Sequence, residues 1–199
     1  MTQLGKEFMI LAETIKRFRL IMICENLDKS NIIELTQRYK INDNFLIRNY
    51  RKGEENLRAE VETAAGEFKT EKDALIHFEK EFGLYRDEME ERCFFIEHKE
   101  SGRVIGTTTA WYNDDYKGDR YGRIHWVGII PEFQGRKLAK PLMAAAMVQL
   151  AKYHDKAYLT SQTTSYKAIN MYADFGFVPL IEDEEAVEAW EYLEAIFEA

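Results

Sequence analysis

The feature that most constrains the fold is a buried strand that runs into a glycine turn and a helix, within residues 121–142. Residues 124–130 carry apolar side chains on both faces, interrupted only by His125 and Gly128. A short run of this kind, rich in β-branched and aromatic residues, predicts a strand buried on both sides. Pro131 ends the strand because proline has no amide hydrogen for the next bond of the ladder.

A helix is predicted to begin near Arg136, after Gly135 has turned the backbone. One broad face of this helix is apolar and consists of Leu138, Leu142, Met143, Ala146, Met147 and Leu150. The first amides of a helix have no intrahelical partner and lie at the positive end of its dipole. Arg136, Lys137 and Lys140 add positive charge there. The strand, tight turn and helix start therefore predict a phosphate-binding site at residues 135–139.

The turn resembles the coenzyme A motif of the GCN5-related N-acetyltransferases, the GNAT superfamily. That motif reads Q/R-x-x-G-x-G/A, and here its six positions are Gln134, Gly135, Arg136, Lys137, Leu138 and Ala139. Gln134 and Ala139 match its end positions. Lys137 replaces the middle glycine, which predicts that no glycine-only backbone conformation occurs there. The resemblance implies that all six residues bind coenzyme A.

A second segment resembles the later motif of the same family, N-x-x-A-x-x-L-Y-x-x-x-G-F. It reads SYKAINMYADFGF, with matching or similar residues at Ser165, Ala168, Met171, Tyr172, Gly176 and Phe177. Ser165 replaces the usual asparagine and is predicted to cap the helix. It and Ala168 are expected to contact the cofactor. The resemblance covers residues 92–180, extends to residues 45–91 and does not include the first 40.

The resemblance implies an α/β (α+β) fold in which helices flank a mixed, mostly antiparallel central sheet, with an N-terminal helical extension. We expect the extension over residues 1–44 and the acetyltransferase domain over residues 45–199. The sequence patterns predict strands at 45–50, 93–97, 104–112, 124–130, 157–161 and 177–181, and helices at 54–65, 70–82, 166–175 and from 182–185 onward. Residues 113–122 are predicted to be a loop because of their Gly, Asp and Asn content.

The N-terminal segment carries an amphipathic stripe formed by Leu4, Phe8, Leu11, Ile15 and Phe18. This spacing predicts a helix. The stripe is shorter than a coiled coil requires, so packing on its own domain is favoured over the seam of a homodimer. Residues 20–24 fit either an extension of the helix or a short strand.

Composition excludes several classes of protein. The formal net charge of −8 argues against a nucleic-acid binder. No run of apolar residues is long enough for a membrane span, and the first residues do not have the pattern of a secretory signal. Cys24 and Cys93 show neither metal-ligand nor redox spacing, so no metal is expected. These features favour a cytoplasmic protein.

The resemblance implies acetyl transfer from acetyl-CoA to an amine. Val127, Gly128 and Ile129 are expected to pair with the pantetheine amides of the cofactor, and a backbone amide near Ile129 to stabilise the oxyanion. Tyr172 lies where the family places a tyrosine near the coenzyme sulfur, so it is the expected acid for the leaving thiolate.

The base that takes the proton of the acceptor is less constrained. His125 is the main candidate, since some arylalkylamine members of the family have a histidine at this position relative to Ile129, but a hydrogen-bonded core histidine is an equal alternative. The substitutes are Asp114, Asp115 and Asp119 acting through water. These aspartates also suggest a small cationic amine as the acceptor, although such runs are usually solvated turns. The remaining histidines, His77, His98 and His154, are expected at the surface.

Two functions remain open. One is an acetyl-CoA-dependent N-acetyltransferase that acts on an unidentified amine. The other is a non-catalytic acyl-CoA-binding sensor. Tyr172 and His125 favour the enzyme because a sensor needs neither of them.

Overall fold

The computed structural model describes residues 15–198 of the 199-residue chain. They form two compact units, one of residues 25–157 and one of residues 15–24 with 158–198. Leu4, Phe8 and Leu11 of the predicted N-terminal helix lie outside the described residues. The division into an extension over residues 1–44 and a domain over 45–199 stays a prediction.

An antiparallel sheet forms the frame of the unit of residues 25–157. Its strands are neighbours in chain order: β2 (Phe45–Asn49), β3 (Cys93–His98), β4 (Arg103–Tyr116) and β5 (Asp119–Ile129). The register pairs Phe45 with His98 and Gly106 with Ile129. This sheet confirms the expected mostly antiparallel α/β fold.

The hairpin of β4 and β5 is longer than predicted. The predicted loop over residues 113–122 is wrong, because Asn113 pairs with Tyr121 and Tyr116 with Asp119. Only Lys117 and Gly118 form the turn, with φ angles of 58° and 78°. Two successive positive φ angles match the twist of a two-residue hairpin, so the strands continue through a polar sequence that looks like a loop.

Helices cover both faces of this sheet. They are α1 (Lys29–Arg38), α2 (Glu55–Ala64), α3 (Glu71–Phe82), α4 (Arg86–Arg92) and α5 (Ala139–Tyr153). A Cβ atom on Gly122 would lie 3.0 Å from Leu150 of α5, whereas one on Gly128 would lie 3.4 Å from Ala65, next to α2. Strand β5 is therefore buried on both sides, as its composition predicted.

The long helix α5 buries the apolar face that the sequence predicted. Its buried residues include Leu142, Met143, Ala146, Met147 and Leu150. The preceding Leu138 is also buried. Helix α5 packs on β3, β4 and β5, and α1 packs against α5. These contacts fix the start of α5 relative to the end of β5.

The other unit contains β1 (Arg19–Cys24), β6 (Ala157–Gln162), α6 (Tyr166–Ala173), β7 (Val178–Pro179) and α7 (Glu184–Glu198). Strand β1 pairs antiparallel with β7, with Met22 opposite Pro179. Asp183 caps α7 by accepting a hydrogen bond of 2.7 Å from the amide of Ala186. The acidic start predicted for this helix is therefore present.

Residues 15–24 resolve the alternative that the sequence left open. Residues 19–24 form strand β1, and the described residues 15–18 are not helical. The prediction of a helix through Ile15 and Phe18 is wrong. The amide of Phe18 donates to Oγ1 of Thr163 at 3.0 Å, and its ring lies 5.5 Å from that of Tyr192, so tertiary contacts outweigh helical spacing.

Three further findings concern the described part of the chain. None of its helices is both long and apolar enough to cross a membrane. Cys24 and Cys93 are buried free thiols. Within residues 15–198, no cluster of three histidine, cysteine or acidic side chains is arranged to hold a metal ion.

Candidate active site

A β-bulge interrupts strand β5 at Trp126 and Val127. Thr107 pairs with Gly128 and Thr109 with His125, so two residues of β5 stand opposite the single residue Thr108 of β4. Trp126 has a φ of 53°, which is rare for a bulky side chain. Strain of this kind persists only where the surrounding structure maintains it, and it clusters at functional sites.

The bulge brings two consecutive side chains of β5 to the same face of the sheet. The rings of His125 and Trp126 lie 5.1 Å apart, although neighbours along a regular strand face opposite sides. Trp126 contacts Phe68 at 5.0 Å, and His125 meets Phe82 edge to face at 5.5 Å. The result is an aromatic wall on the α2 and α3 side of the sheet.

The end of β5 directs the backbone of Ile129 away from β4. The next amide, that of Ile130, donates to the carbonyl of Ile105 at 3.0 Å. Because backbone groups alternate between the two edges of a strand, those of Ile129 face away from β4. The Ile129 carbonyl accepts a hydrogen bond of 2.9 Å from Nε2 of Gln134. Gln134 thereby ties the turn to the strand end.

The turn before α5 contains two residues with left-handed backbone. Gly135 has a φ of 76° and Lys137 a φ of 61°. The prediction that Lys137 excludes a glycine-like conformation is wrong, since its backbone occupies the region that glycine favours. These two residues break helical geometry, and α5 therefore begins at Ala139 rather than near Arg136.

The turn presents several backbone amides without a protein partner. Among the described residues, no backbone or side-chain acceptor bonds to the amides of Gly135, Arg136, Lys137 or Leu138. A Cβ atom on Gly135 would meet no atom within 4 Å. Unpartnered amides in an open turn fit the oxygens of a phosphate or pyrophosphate. The residues present therefore fit the diphosphate of coenzyme A.

His125 is buried and faces a carboxylate. Its side chain is 3% exposed, and Nε2 lies 3.1 Å from Oε1 of Glu81 in α3. Burial lowers the pKa of His125 to about 3, despite this contact, so the imidazole is neutral near pH 7. Nδ1 of His125 is buried and has no hydrogen-bond partner among the described protein atoms. The burial and the contact with Glu81 fit the core histidine that was one alternative, whereas the neutral ring and the unpartnered Nδ1 fit the base, so both interpretations remain hypotheses.

Glu81 joins three side chains around its carboxylate. Nη1 of Arg123 lies 3.0 Å from Oε1, and Nδ1 of His77 lies 3.4 Å from Oε2. Burial alone would raise the pKa of Glu81, but the hydrogen bond with His125 and the charge of Arg123 lower it to about 2. Glu81 is therefore ionised at all pH values at which the protein would be assayed.

The sequence did not reveal this cluster. Glu81 precedes Arg123 and His125 by more than 40 residues, and only the spacing of four between His77 and Glu81 is visible locally. The prediction that the other histidines lie at the surface is wrong for His154, which is buried, and His77 is half-buried within the cluster.

Ser165, Ala168 and Tyr172 lie in the other unit. Ser165 precedes α6, but its side chain makes no capping bond and instead accepts a hydrogen bond of 3.2 Å from Nε2 of Gln162. Its predicted capping role is therefore wrong. Tyr172 is buried in α6, and its carbonyl accepts from the amides of Phe175 and Phe177 at 3.0 and 3.2 Å.

The aspartates of the hairpin are largely paired with cations. Oδ1 of Asp114 lies 2.9 Å from Nε of Arg120, and Oδ2 of Asp119 lies 3.0 Å from Nζ of Lys156. Asp115 donates its amide to Asn113 Oδ1 at 3.1 Å. Because these pairs cancel much of the negative charge, the hairpin offers little attraction for a cationic acceptor.

Sequence comparison matches residues 56–177, more than half of the chain, with the model of the Acetyltransferase (GNAT) family. The match includes the bulge, the turn before α5 and the segment of Tyr172. No curated protein matches the sequence.

Solved structures share the fold. A GCN5-related N-acetyltransferase from Sphaerobacter thermophilus has a TM-score of 0.64 and 16% identity over 89% of this chain and 54% of its own length. A protein from Pyrococcus horikoshii OT3 has a TM-score of 0.57 and 20% identity over 70% of this chain and 92% of its own. A GNAT acetyltransferase from Colwellia psychrerythraea has a TM-score of 0.58 and 12% identity over 89% of this chain and 59% of its own. The chain thus spans little more than half of two of these structures.

Proposed function

The chain belongs to the GNAT family of acetyltransferases, and from this we propose that it transfers an acetyl group from acetyl-CoA to the amine of a small acceptor molecule. The observation that carries the proposal is the turn of residues 134–139. Its unpartnered amides and its left-handed Lys137 lie at the positions that match the coenzyme A motif. Arg136, Lys137 and Lys140 supply positive charge beside these amides.

The strand end completes the proposed cofactor site. The backbone of Ile129 faces away from β4, and the bulge at Trp126 and Val127 breaks the regular ladder just before it. We expect the backbone of Val127 to pair with a pantetheine amide and the amide of Ile129 to stabilise the oxyanion. The sequence-based expectation that Gly128 also pairs with pantetheine is not kept, because its backbone groups face β4, opposite Thr107. Ser165 and Ala168 are proposed to contact the cofactor from α6 and its start.

Two side chains are proposed to handle protons. His125 is neutral near pH 7, so its lone pair is available to accept a proton from the ammonium of the acceptor. The free amine then attacks the carbonyl carbon of the thioester, the C–N bond forms and the C–S bond breaks. Tyr172 gives its proton to the departing thiolate and regains one from the nitrogen of the product. One proton is released overall through His125.

Release of free thiol from acetyl-CoA over a panel of small primary amines tests this function. We expect time-dependent thiol that requires both the protein and one class of amine, with the acetylated amine detected by mass spectrometry. Ala139→Glu, which places a carboxylate at the proposed diphosphate position, should abolish it.

Two other outcomes would contradict the proposal. Binding of acetyl-CoA without turnover on any amine would favour the acyl-CoA sensor. Absence of acetyl-CoA binding, measured by calorimetry, would contradict the cofactor assignment itself.

A further inference from the structure

The partly buried carboxylate of Glu81 has no role in the chemistry described so far. It lies at the end of α3 and shares one oxygen, Oε1, between Arg123 at 3.0 Å and His125 Nε2 at 3.1 Å. An ionised carboxylate only accepts hydrogen bonds, so the Nε2 atom that faces it must carry a proton. Glu81 thus selects one of the two neutral tautomers of His125.

The selected tautomer leaves Nδ1 as the lone pair of the imidazole. Nδ1 is buried and has no acceptor or donor among the described residues, whereas every strong polar contact of Nε2 is with Glu81. A buried acceptor without a partner costs free energy, and such a cost persists where the atom serves a ligand. With the other tautomer, Nδ1 would be a donor and could not take a proton.

We propose that Glu81 is a positioning residue that holds His125 in the Nε2–H tautomer and so presents Nδ1 to the amine of the acceptor. This inference rests on the proposed acetyl transfer and deepens it. When Nδ1 takes the proton of the acceptor, an imidazolium forms, and the carboxylate of Glu81 stabilises its charge across the Nε2–H bond. His125 then returns the proton to solvent.

The charges around His125 explain why a carboxylate is needed there. Arg123 of β5 and Arg58 of α2 oppose a positive imidazole, and His77 of α3 lies 6.4 Å away, ring centre to ring centre. Glu81 is the anion that His125 contacts directly. Arg58 is itself paired with Glu62 at 2.8 Å, so without Glu81 the unopposed cation would be Arg123, and proton transfer to Nδ1 would be more costly.

The tautomer of His125 is measured directly by NMR of the wild-type protein labelled with isotopic nitrogen in its four histidines. His125→Gln assigns the signal. We expect a neutral ring with its proton on Nε2, unchanged between pH 5 and pH 8. A proton on Nδ1 would overturn the proposal, and this measurement needs no variant of Glu81 and no activity.

Two substitutions of Glu81 separate the effect of the His125 tautomer on kcat from the effect of the Glu81 charge. Glu81→Gln keeps an oxygen that can accept from Nε2–H, so the tautomer should persist while kcat falls at least about tenfold from loss of the charge. Glu81→Met removes the hydrogen-bond acceptor of Nε2–H, so both tautomers of His125 should appear. The value of kcat should then fall further, toward the loss of about 10²-fold expected when general acid–base catalysis is removed. The KM for acetyl-CoA should not change in either variant.

Glu79→Gln is the matched control. Glu79 lies in the same helix but is exposed and pairs with Arg86, so the NMR signal of His125 and kcat should both stay at wild-type values. Unchanged kcat in Glu81→Met, with the tautomer lost, would overturn the proposal and leave His125 as a core residue. Acetyl transfer by the wild type would still stand, so the two failures are distinguishable.

Discussion

At the scale of single residues, Tyr172 gives the most selective test of the proposed chemistry. Tyr172→Phe removes one oxygen and keeps the ring that contacts Phe177 at 6.5 Å. We expect the fold and the affinity for acetyl-CoA to persist while kcat falls about 10²-fold or more, because the leaving thiolate loses its acid. Steady-state thiol release and calorimetry on the same preparation measure both quantities. Full turnover in the variant would mean that water protonates the thiolate.

Lys137 tests the conformation of the proposed phosphate turn. Its φ of 61° is unfavourable by about 1–2 kcal/mol for a residue with a side chain, whereas glycine adopts this angle without that cost. Lys137→Gly and Lys137→Ala both remove the charge, but only glycine removes the strain. We therefore expect Lys137→Gly to be more stable than Lys137→Ala by about 1 kcal/mol in urea unfolding, with equal affinities for acetyl-CoA. Equal stabilities would show that residue 137 is not held in the left-handed region.

Residue roles were predictable from the sequence only where a motif fixes several positions together. Gln134, Ala139 and Tyr172 were proposed in this way, and their roles stay predictions. The structure adds that Gln134 bonds to the Ile129 carbonyl. Glu81 could not be found, because its significance depends on the pairing of α3 with a strand more than 40 residues later in the chain. Nor could the sequence reveal that His125 is 3% exposed, which depends on the bulge and on the packing of Phe82.

At the scale of elements, the start of α5 is the proposed binding site for the diphosphate of the cofactor. If its turn holds the diphosphate, acetyl-CoA at one hundred times its dissociation constant should stabilise the protein by about 2.7 kcal/mol, or several degrees in Tm. Ala139→Glu should remove this shift while leaving the Tm without ligand nearly unchanged, since residue 139 begins the helix and an acid there suits the dipole. An equal shift in wild type and variant would place the diphosphate elsewhere.

The sequence predicted well those helices and strands whose apolar residues recur at a regular spacing. It did not predict the features that depend on the backbone conformation of a turn or bulge. The apolar faces of strand β5 and helix α5 predicted both elements. Thr70, where the sequence predicted a helix start, caps α3 by accepting a hydrogen bond of 3.2 Å from the amide of Asp73. The extension of β4 and β5 was missed because Lys117 and Gly118 both adopt positive φ, which the polar composition of the hairpin conceals. The bulge at Trp126 was missed because a single extra residue leaves no trace in periodicity.

At the scale of the whole molecule, the buried ionisable groups should make stability depend on pH. The pKa of His125 is lowered to about 3 from 6.5 by burial, so the unfolded chain binds a proton at this site before the folded protein does. Its contribution to the free energy of unfolding is therefore fully present above pH 6.5 and is lost as pH falls toward 3. His154, whose pKa burial lowers to about 4, acts in the same direction. Glu62, whose pKa burial raises to about 7, acts in the opposite direction.

Comparison with His125→Gln isolates the histidine from these other groups. Glutamine can still donate to Glu81 but does not titrate, so wild type should lose more stability than the variant between pH 6.5 and pH 5. The difference should approach about 1.4 kcal/mol per pH unit, the value for one proton. Urea unfolding of both proteins at a series of pH values measures it. A constant difference across this range would mean that folding leaves the pKa of His125 near its ordinary value of 6.5, against the burial effect described here. A wild type that gained stability relative to the variant as pH falls would mean that the folded protein holds His125 protonated, without the neutral lone pair on which the proposed proton transfer depends.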